Sequence, residues 1–217
     1  MDFDYRQYIP PSVPSEQNFA HTPLLKPLYN VEWNGDRSKI LKENNPNGKA
    51  RAMRFLAGIR YSQTQRRKGR KKTWDKGQAR DLEAWQASFR DDGKLPVPDM
   101  PGDPAQDVIF AFGKFAAGME ELSRAVDERP LCRFDFPYDH RMDVFACHTS
   151  IVLNISLGLT LRASAYLQAN EPGRAFRDVR TGIKIITRTK DDPLLISALS
   201  KVFSISRLQQ PIWEALR

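Results

Sequence analysis

Residues 144–189 read VFACHTSIVLNISLGLTLRASAYLQANEPGRAFRDVRTGIKIITRT, and this stretch decides the fold. Phe145, Val152, Ile155, Leu159, Ala163 and Tyr166 recur at helical spacing. Ala175, Val179, Gly182 and Ile186 do the same in the second half. Steps of three and four place each set on one face of an α-helix. Ile151, Leu153, Leu157 and Leu161 make the first helix apolar on its other faces as well, the pattern of a helix covered by several neighbours. Between the two, Asn170-Glu171-Pro172-Gly173 stops one helix and starts the next, since Asn tolerates a helix C-terminus and Pro suits a first turn. The spacing predicts a helical hairpin of the kind used to build scaffolds.

Working outward, Asp103-Pro104 opens an earlier helix, with Asp as N-cap and Pro at the first helical position. Its expected buried stripe is Val108, Phe112, Phe115, Met119 and Leu122, and Pro130 ends it. Asp192-Pro193 repeats the start signal. Leu195, Leu199, Val202 and Ile205 mark the final long helix, which Pro211 kinks or restarts, and Trp213 and Leu216 follow. Upstream, Leu82, Trp85 and Phe89 give helical spacing within 74–90, and 91–104 reads as a Pro/Gly linker. A short helix over 49–61 would gather Ala52, Phe55, Leu56 and Ile59 on one side. No alternating strand of useful length is present, so the predicted class is all-α, built from antiparallel helical hairpins of tetratricopeptide-like or bundle type.

The expected organisation has three parts. Residues 1–34 form an extended arm rich in Pro and aromatics, because proline blocks helix and removes donors. Its irregular prolines and many aromatics favour packing along the body, with a polyproline-type recognition segment as the alternative. Residues 35–102 form a basic segment with short helices and a mobile loop. Residues 103–217 form the α-helical body, whose end still reads as amphipathic helix, as if a C-terminal helix were missing.

The chain has 217 residues and a net charge of +8, unevenly spread. Residues 37–80 hold 15 Lys/Arg against Glu43 and Asp75, a net +13, which leaves −5 for the rest. The basicity therefore belongs to one segment rather than to the fold. No uninterrupted apolar run reaches the roughly 18–20 residues that span a bilayer, since Asn154 and Arg162 break the best candidate. The acidic start Met1-Asp2-Phe3-Asp4 is unlike a signal peptide. As written, the chain is expected to be soluble and cytoplasmic.

Several blocks resemble a family of uncharacterised bacterial helical proteins. Pro10-Pro11-Ser12-Val13-Pro14-Ser15-Glu16-Gln17-Asn18-Phe19-Ala20 is similar to an N-terminal motif PPxVPxxxNFA. Leu161-Arg162-Ala163, 175–180, 192–196 and Gln210-Pro211-Ile212-Trp213-Glu214 resemble its later blocks. The resemblance implies a membrane anchor before the proline segment and further chain after the Trp-Glu block, hence a cell-envelope location if an upstream anchor is missing here. It implies no activity. The hairpin also resembles a single tetratricopeptide unit: Ala163, Ala175 and Gly182 stand where that repeat needs small residues, and Tyr166 and Val179 where it needs bulk. Arg162 departs from that pattern, and a shift by the 34-residue period gives Ser197 and Ser200 rather than a clean repeat.

Two basic features are candidate contacts for an anionic partner. One is the run Arg66, Arg67, Lys68, Arg70, Lys71 and Lys72, with Trp74 beside it to stack on a base. The other is the stripe Arg177, Arg180, Lys184 and Arg188, extended by Arg174, expected on the outward side of the hairpin's second helix. An acidic protein, a nucleic acid or an anionic surface would satisfy either, and a solvated loop and helix face is the plainer reading. Cys132, His140, Cys147 and His148 match no familiar zinc spacing and are read as core or interface residues. Should the chain be exported, a Cys132–Cys147 disulfide becomes available. Asp135, Asp139, His140 and Asp143 cluster at an aromatic connector, without a catalytic motif around them. No cofactor or metal is expected. The functional expectation is a non-enzymatic scaffold or interaction module, with nucleic-acid binding through 66–72 as the alternative and an enzyme third.

Overall fold

The computed structural model describes residues 11–29, 55, 79–134, 147–189 and 195–217. Among these residues the protein is all-α. Six helices carry the fold: α1 (Leu82–Asp92), α2 (Pro104–Gly113), α3 (Ala116–Glu128), α4 (Cys147–Gln168), α5 (Pro172–Arg188) and α6 (Leu195–Ala215). The expected helix over 49–61 falls mostly outside the described residues; Phe55 itself is helical and buried.

Local chemistry explains several helix ends. Asp81 accepts from the Ala84 N–H at 2.8 Å and starts α1, and Gly93 closes it at φ +61°. Asp103 accepts from the Gln106 N–H at 3.0 Å ahead of Pro104. After α4, Asn170 takes φ +59°. The Glu171 N–H then reaches the Tyr166 carbonyl at 2.7 Å, and the Asn170 N–H reaches that of Leu167 at 3.0 Å. These paired bonds satisfy carbonyls that the helix end would otherwise strand.

The single helix expected between Asp103 and Pro130 is instead two. The break falls at Lys114-Phe115, where Phe115 leaves helical geometry at φ −108°, ψ 0°. Gly113 weakens the helix there. The bend places the Phe115 ring edge-on to Phe112 and Phe55, at centroid distances of 6.2 and 6.4 Å. Aromatic packing thus offsets the interrupted helix.

Helix α4 is central, packing on α2, α5 and α6. Its stretch Thr149–Gln168 is long and apolar enough to cross a membrane, despite Asn154 and Arg162, and most of it is buried inside the protein. One core unites Phe19, Leu24 and Leu25 from the N-terminal segment with Phe89, Phe112, Leu122, Ile155 and Leu159. That segment does not run straight over 15–29. It folds through a turn, a 3-10 turn at Phe19–His21 and one helical turn at Lys26–Tyr29. Asn18 holds it: its Oδ1 accepts from the Ala20 and Arg133 N–H groups, and its Nδ2 donates to the Arg133 carbonyl at 2.7 Å. Arg129 donates to the Ser15 and Asn18 carbonyls from the other side.

Asp107 fixes the 93–103 connection in a similar way. Its carboxylate accepts from Gln86 Nε2 (2.7 Å), Arg90 Nη2 (3.1 Å) and the Gly102 N–H (3.2 Å). Burial pushes this carboxyl up, but the three donors outweigh it and hold its pKa below the ordinary value.

Candidate functional site

Around helix α5 the charged residues divide by side. On the inner side, Asp178 meets Arg162 of α4 in a fork of two bonds, 2.7 Å from Nε and 2.6 Å from Nη2. The two side chains are only 11% and 5% exposed. Burial pushes the Asp178 carboxyl up against the pull of Arg162. Four residues further along α4, the Tyr166 ring lies under the Arg174 guanidinium at 4.3 Å, and Arg174 also pairs with Glu171 at 2.8 Å. Advancing along α4 from Arg162 to Tyr166 means retreating along α5 from Asp178 to Arg174. The departure of Arg162 from a tetratricopeptide pattern thus has a physical reason, an acid one helix away.

The basic stripe of α5 lies beside α3. Asp127 receives both Arg180 (2.6 Å) and Lys184 (2.5 Å). These two donors hold its carboxyl below the usual range. Arg177 stands 3.7 Å from Glu120, with both side chains well exposed. Arg188 donates to the Val126 and Arg129 carbonyls, a cation placed at the C-terminal end of α3. The four residues therefore come together as one surface, engaged with α3 acids and carbonyls. Residues Arg66, Arg67, Lys68, Arg70, Lys71 and Lys72 lie outside the described residues, as do Asp135, Asp139, His140 and Asp143. Cys132 is half-buried beside the core. Among the described residues, no three His, Cys, Asp or Glu side chains converge as a metal-holding group.

A shallow cavity of about 340 Å³ opens between the starts of α1 and α2, lined by Arg80, Asp81, Glu83, Asp103 and Gln168 among others. Its two aspartates are the helix caps already described. Gln168 donates to the Arg80 carbonyl, and the Arg80 N–H donates to Glu214 at 2.9 Å. This ties the ends of α4 and α6 to the same backbone unit.

The feature that sequence reasoning missed is the orientation of α6. Leu195, Leu199, Val202 and Ile205, read as the markers of that helix's apolar side, do not pack inward. Together with Ile196 and Phe203 they are 45–75% exposed. The buried side carries Ser197, Ser200, Ser204, Leu208 and Pro211, and α6 runs unbroken through that proline. The reason lies in α4. Arg162 and Tyr166 face α5, while Ile151, Leu161 and Ala165 enter the main core. By helical rotation the remaining side carries the buried Ser156, Thr160 and Ser164 together with the half-buried Leu153 and Leu167. Ser156, Thr160 and Ser200 bond to carbonyls of their own helices at 2.6–2.8 Å. Small hydroxyl side chains let the helices approach closely, and those bonded to their own helix are buried at little penalty; the buried hydroxyls of Ser164 and Ser204 find no hydrogen-bond partner among the described residues. On α5, Gly182 serves the same approach: a Cβ there would meet Leu208 of α6 at 3.0 Å.

No family model, no curated protein and no solved structure matches this chain. Among the described residues, several of the sequence blocks singled out above hold ties between separate parts of the chain, while most of 192–196 lies outside the described residues. Asn18 ties the N-terminal segment down, Arg162 and Asp178 join α4 to α5, and Glu214 joins α6 to Arg80.

Proposed function

We propose that this chain is a non-enzymatic helical scaffold that presents a protein-interaction surface. The observation that carries the reading is the outer face of α6, where Leu195, Ile196, Leu199, Val202 and Phe203 are exposed on one side of one helix. A contiguous exposed apolar face of this kind marks an interaction surface more often than a solvated one. In this reading α4 and α5 form a tetratricopeptide-like hairpin, and α6 is the third helix that offers the next surface. The pairing order of Arg162–Asp178 and Tyr166–Arg174, and the shared Arg80 tie of Gln168 and Glu214, support that arrangement.

The test compares immobilised wild-type chain with a Leu199→Glu/Phe203→Glu variant, each challenged with host extract at two salt concentrations. Capture lost in the variant at both salts is the expected result. Identical capture by both proteins overturns the reading.

The second reading is nucleic-acid binding through Arg66, Arg67, Lys68, Arg70, Lys71 and Lys72, favoured by the net +13 confined to residues 37–80. Duplex affinity would then fall steeply with salt, as neutralised phosphates release counterions. A flat salt dependence, or unchanged affinity after those six residues are neutralised, sinks it. Arg177, Arg180, Lys184 and Arg188 would contribute to an anionic partner's binding only by exchanging their α3 acids and carbonyls for it.

A further inference from the structure

We infer that the outer face of α6 is the contact surface of a homodimer, in which α6 packs against α6 of a second copy about a two-fold axis. The inference rests on the scaffold reading above and names the occupant of the face. Three observations carry it.

The first is area. Leu195, Ile196, Leu199, Val202, Phe203 and Ile205 are each roughly half exposed or more. Phe203, an aromatic that buries 150–250 Å² when fully covered, offers about 100 Å², and the aliphatic side chains offer no more apiece. The six therefore offer at most about 600 Å² on each copy, or about 1,200 Å² over both, the lower bound of specific protein interfaces. The helix has 21 residues, and its length of about 30 Å suits an extended side-by-side packing.

The second is charge. A two-fold interface sets the same patch against itself, so a charge near the axis would confront its own copy and one off the axis would need an opposite charge elsewhere in the patch. The α6 face avoids this. Between Leu195 and Ser206 the only charged residue is Lys201, and it is half-buried at the flank. Ala198 and Ser206 are small residues that allow close helix approach. An antiparallel pairing centred between Leu199 and Val202 sets Leu199 of one copy opposite Val202 of the other. The excess positive charge lies elsewhere, in residues 37–80.

The third is the character of the flanks. An anionic bilayer would also cover an apolar helix face, but interfacial helices rely on exposed Lys and Arg beside that face. On α6, Lys201 and Arg207 are both half-buried. Apolar self-association needs no such rim.

The experiment is sedimentation equilibrium on the full chain across concentration and salt. It compares wild type with Leu199→Glu/Phe203→Glu and with the milder Phe203→Ser. Circular dichroism and a thermal melt accompany each variant. The wild type is expected at twice the 24.9 kDa chain mass, with association unchanged or strengthened by salt. The double variant is expected at the single-chain mass with its helical signal intact, and Phe203→Ser is expected to weaken association at least 10-fold. A wild type that stays at the single-chain mass over the whole range overturns the dimer. So does a double variant that keeps the dimer mass. Co-flotation of a monomeric wild type with phosphatidylcholine/phosphatidylserine vesicles, abolished by high salt, would give the face to lipid instead. A monomer whose extract capture still depends on Leu199 and Phe203 sinks the dimer and leaves the scaffold reading standing. A dimer whose capture is indifferent to them sinks the scaffold reading alone.

Discussion

Helices α5 and α6 both pack on α4, and they do so by opposite rules. Helix α5 turns Ala175, Val179, Ile185 and Ile186 inward and Arg177 and Arg180 outward, with the buried Asp178 and the exposed Phe176 and Ile183 as exceptions. Helix α6 turns serines inward and Leu, Val and Phe outward. The difference teaches that hydrophobicity alone does not select the buried side of a helix. The surface it meets selects too. One side of α4 offers apolar residues and a guanidinium, another carries the buried hydroxyls of Ser156, Thr160 and Ser164, and small side chains on a packed helix allow a closer approach than leucines would.

The strongest way to break this comparison is at the α4–α5 contact. Replacing Asp178 with Ala leaves the Arg162 guanidinium buried and unpaired, and is expected to destabilise by about 3–5 kcal/mol. Urea unfolding measures it, and a loss below about 1 kcal/mol would show that the pair is replaceable by solvent. Replacing both partners by Leu is expected to recover most of the loss, because the two desolvation penalties disappear together.

At the α4–α6 contact, Ser204→Leu tests the opposite rule. If amphipathicity decided which side is buried, an added leucine at a fully buried position would stabilise the protein. Close packing of small side chains predicts a loss of about 1–3 kcal/mol from overpacking. A rise in the melting temperature would refute the hydroxyl-row account.

Acid titration sharpens the contrast within the charged set. Asp127, held by Arg180 and Lys184, has its folded pKa lowered. Its contribution is present above the unfolded value near 3.9 and is lost as pH falls through the lower folded value. Burial raises Asp178 instead, so its linkage has the opposite sign. Asp127→Asn is therefore expected to flatten the acid limb of the stability curve below about pH 4. The Asp127 side chain is 40% exposed, so the effect is within about 1 kcal/mol and shrinks with salt. An acid limb identical to wild type at low salt would remove Asp127 from the account. The smallest expected change in stability belongs to Leu199→Glu/Phe203→Glu in the separated chain, about 0.5 kcal/mol or less, because both positions are already exposed. A large loss of helical signal there would mean that the face is covered from within the chain.

Much of the architecture was legible in residue spacing. The two helices around Asn170–Gly173, the Asp103 cap and the helical character of 195–215 all follow from signals a few residues long. The break at Lys114-Phe115 was not legible, because the Val108–Leu122 stripe keeps helical spacing through it and only Phe55, distant in sequence, shows why Phe115 must turn. Arg162–Asp178 left a faint signal, a cation inside an apolar helix and an acid the right distance past the turn. The α5 stripe was legible as basic, while its engagement with Asp127 and the carbonyls near Arg129 required knowing where α3 lies.

By itself the sequence determined the local facts: the all-α class, several helix ends, the central place of α4 and the concentration of excess positive charge in residues 37–80. Caps, turns and apolar periodicity act within one or two helical turns, so they are written in neighbouring residues. Only the tertiary structure decided which side of each helix is spent inside. For α6 that choice went against its own amphipathicity: Ser197, Ser200 and Ser204 are buried and Leu, Val and Phe are exposed, because a face is buried by what it fits as well as by what it avoids.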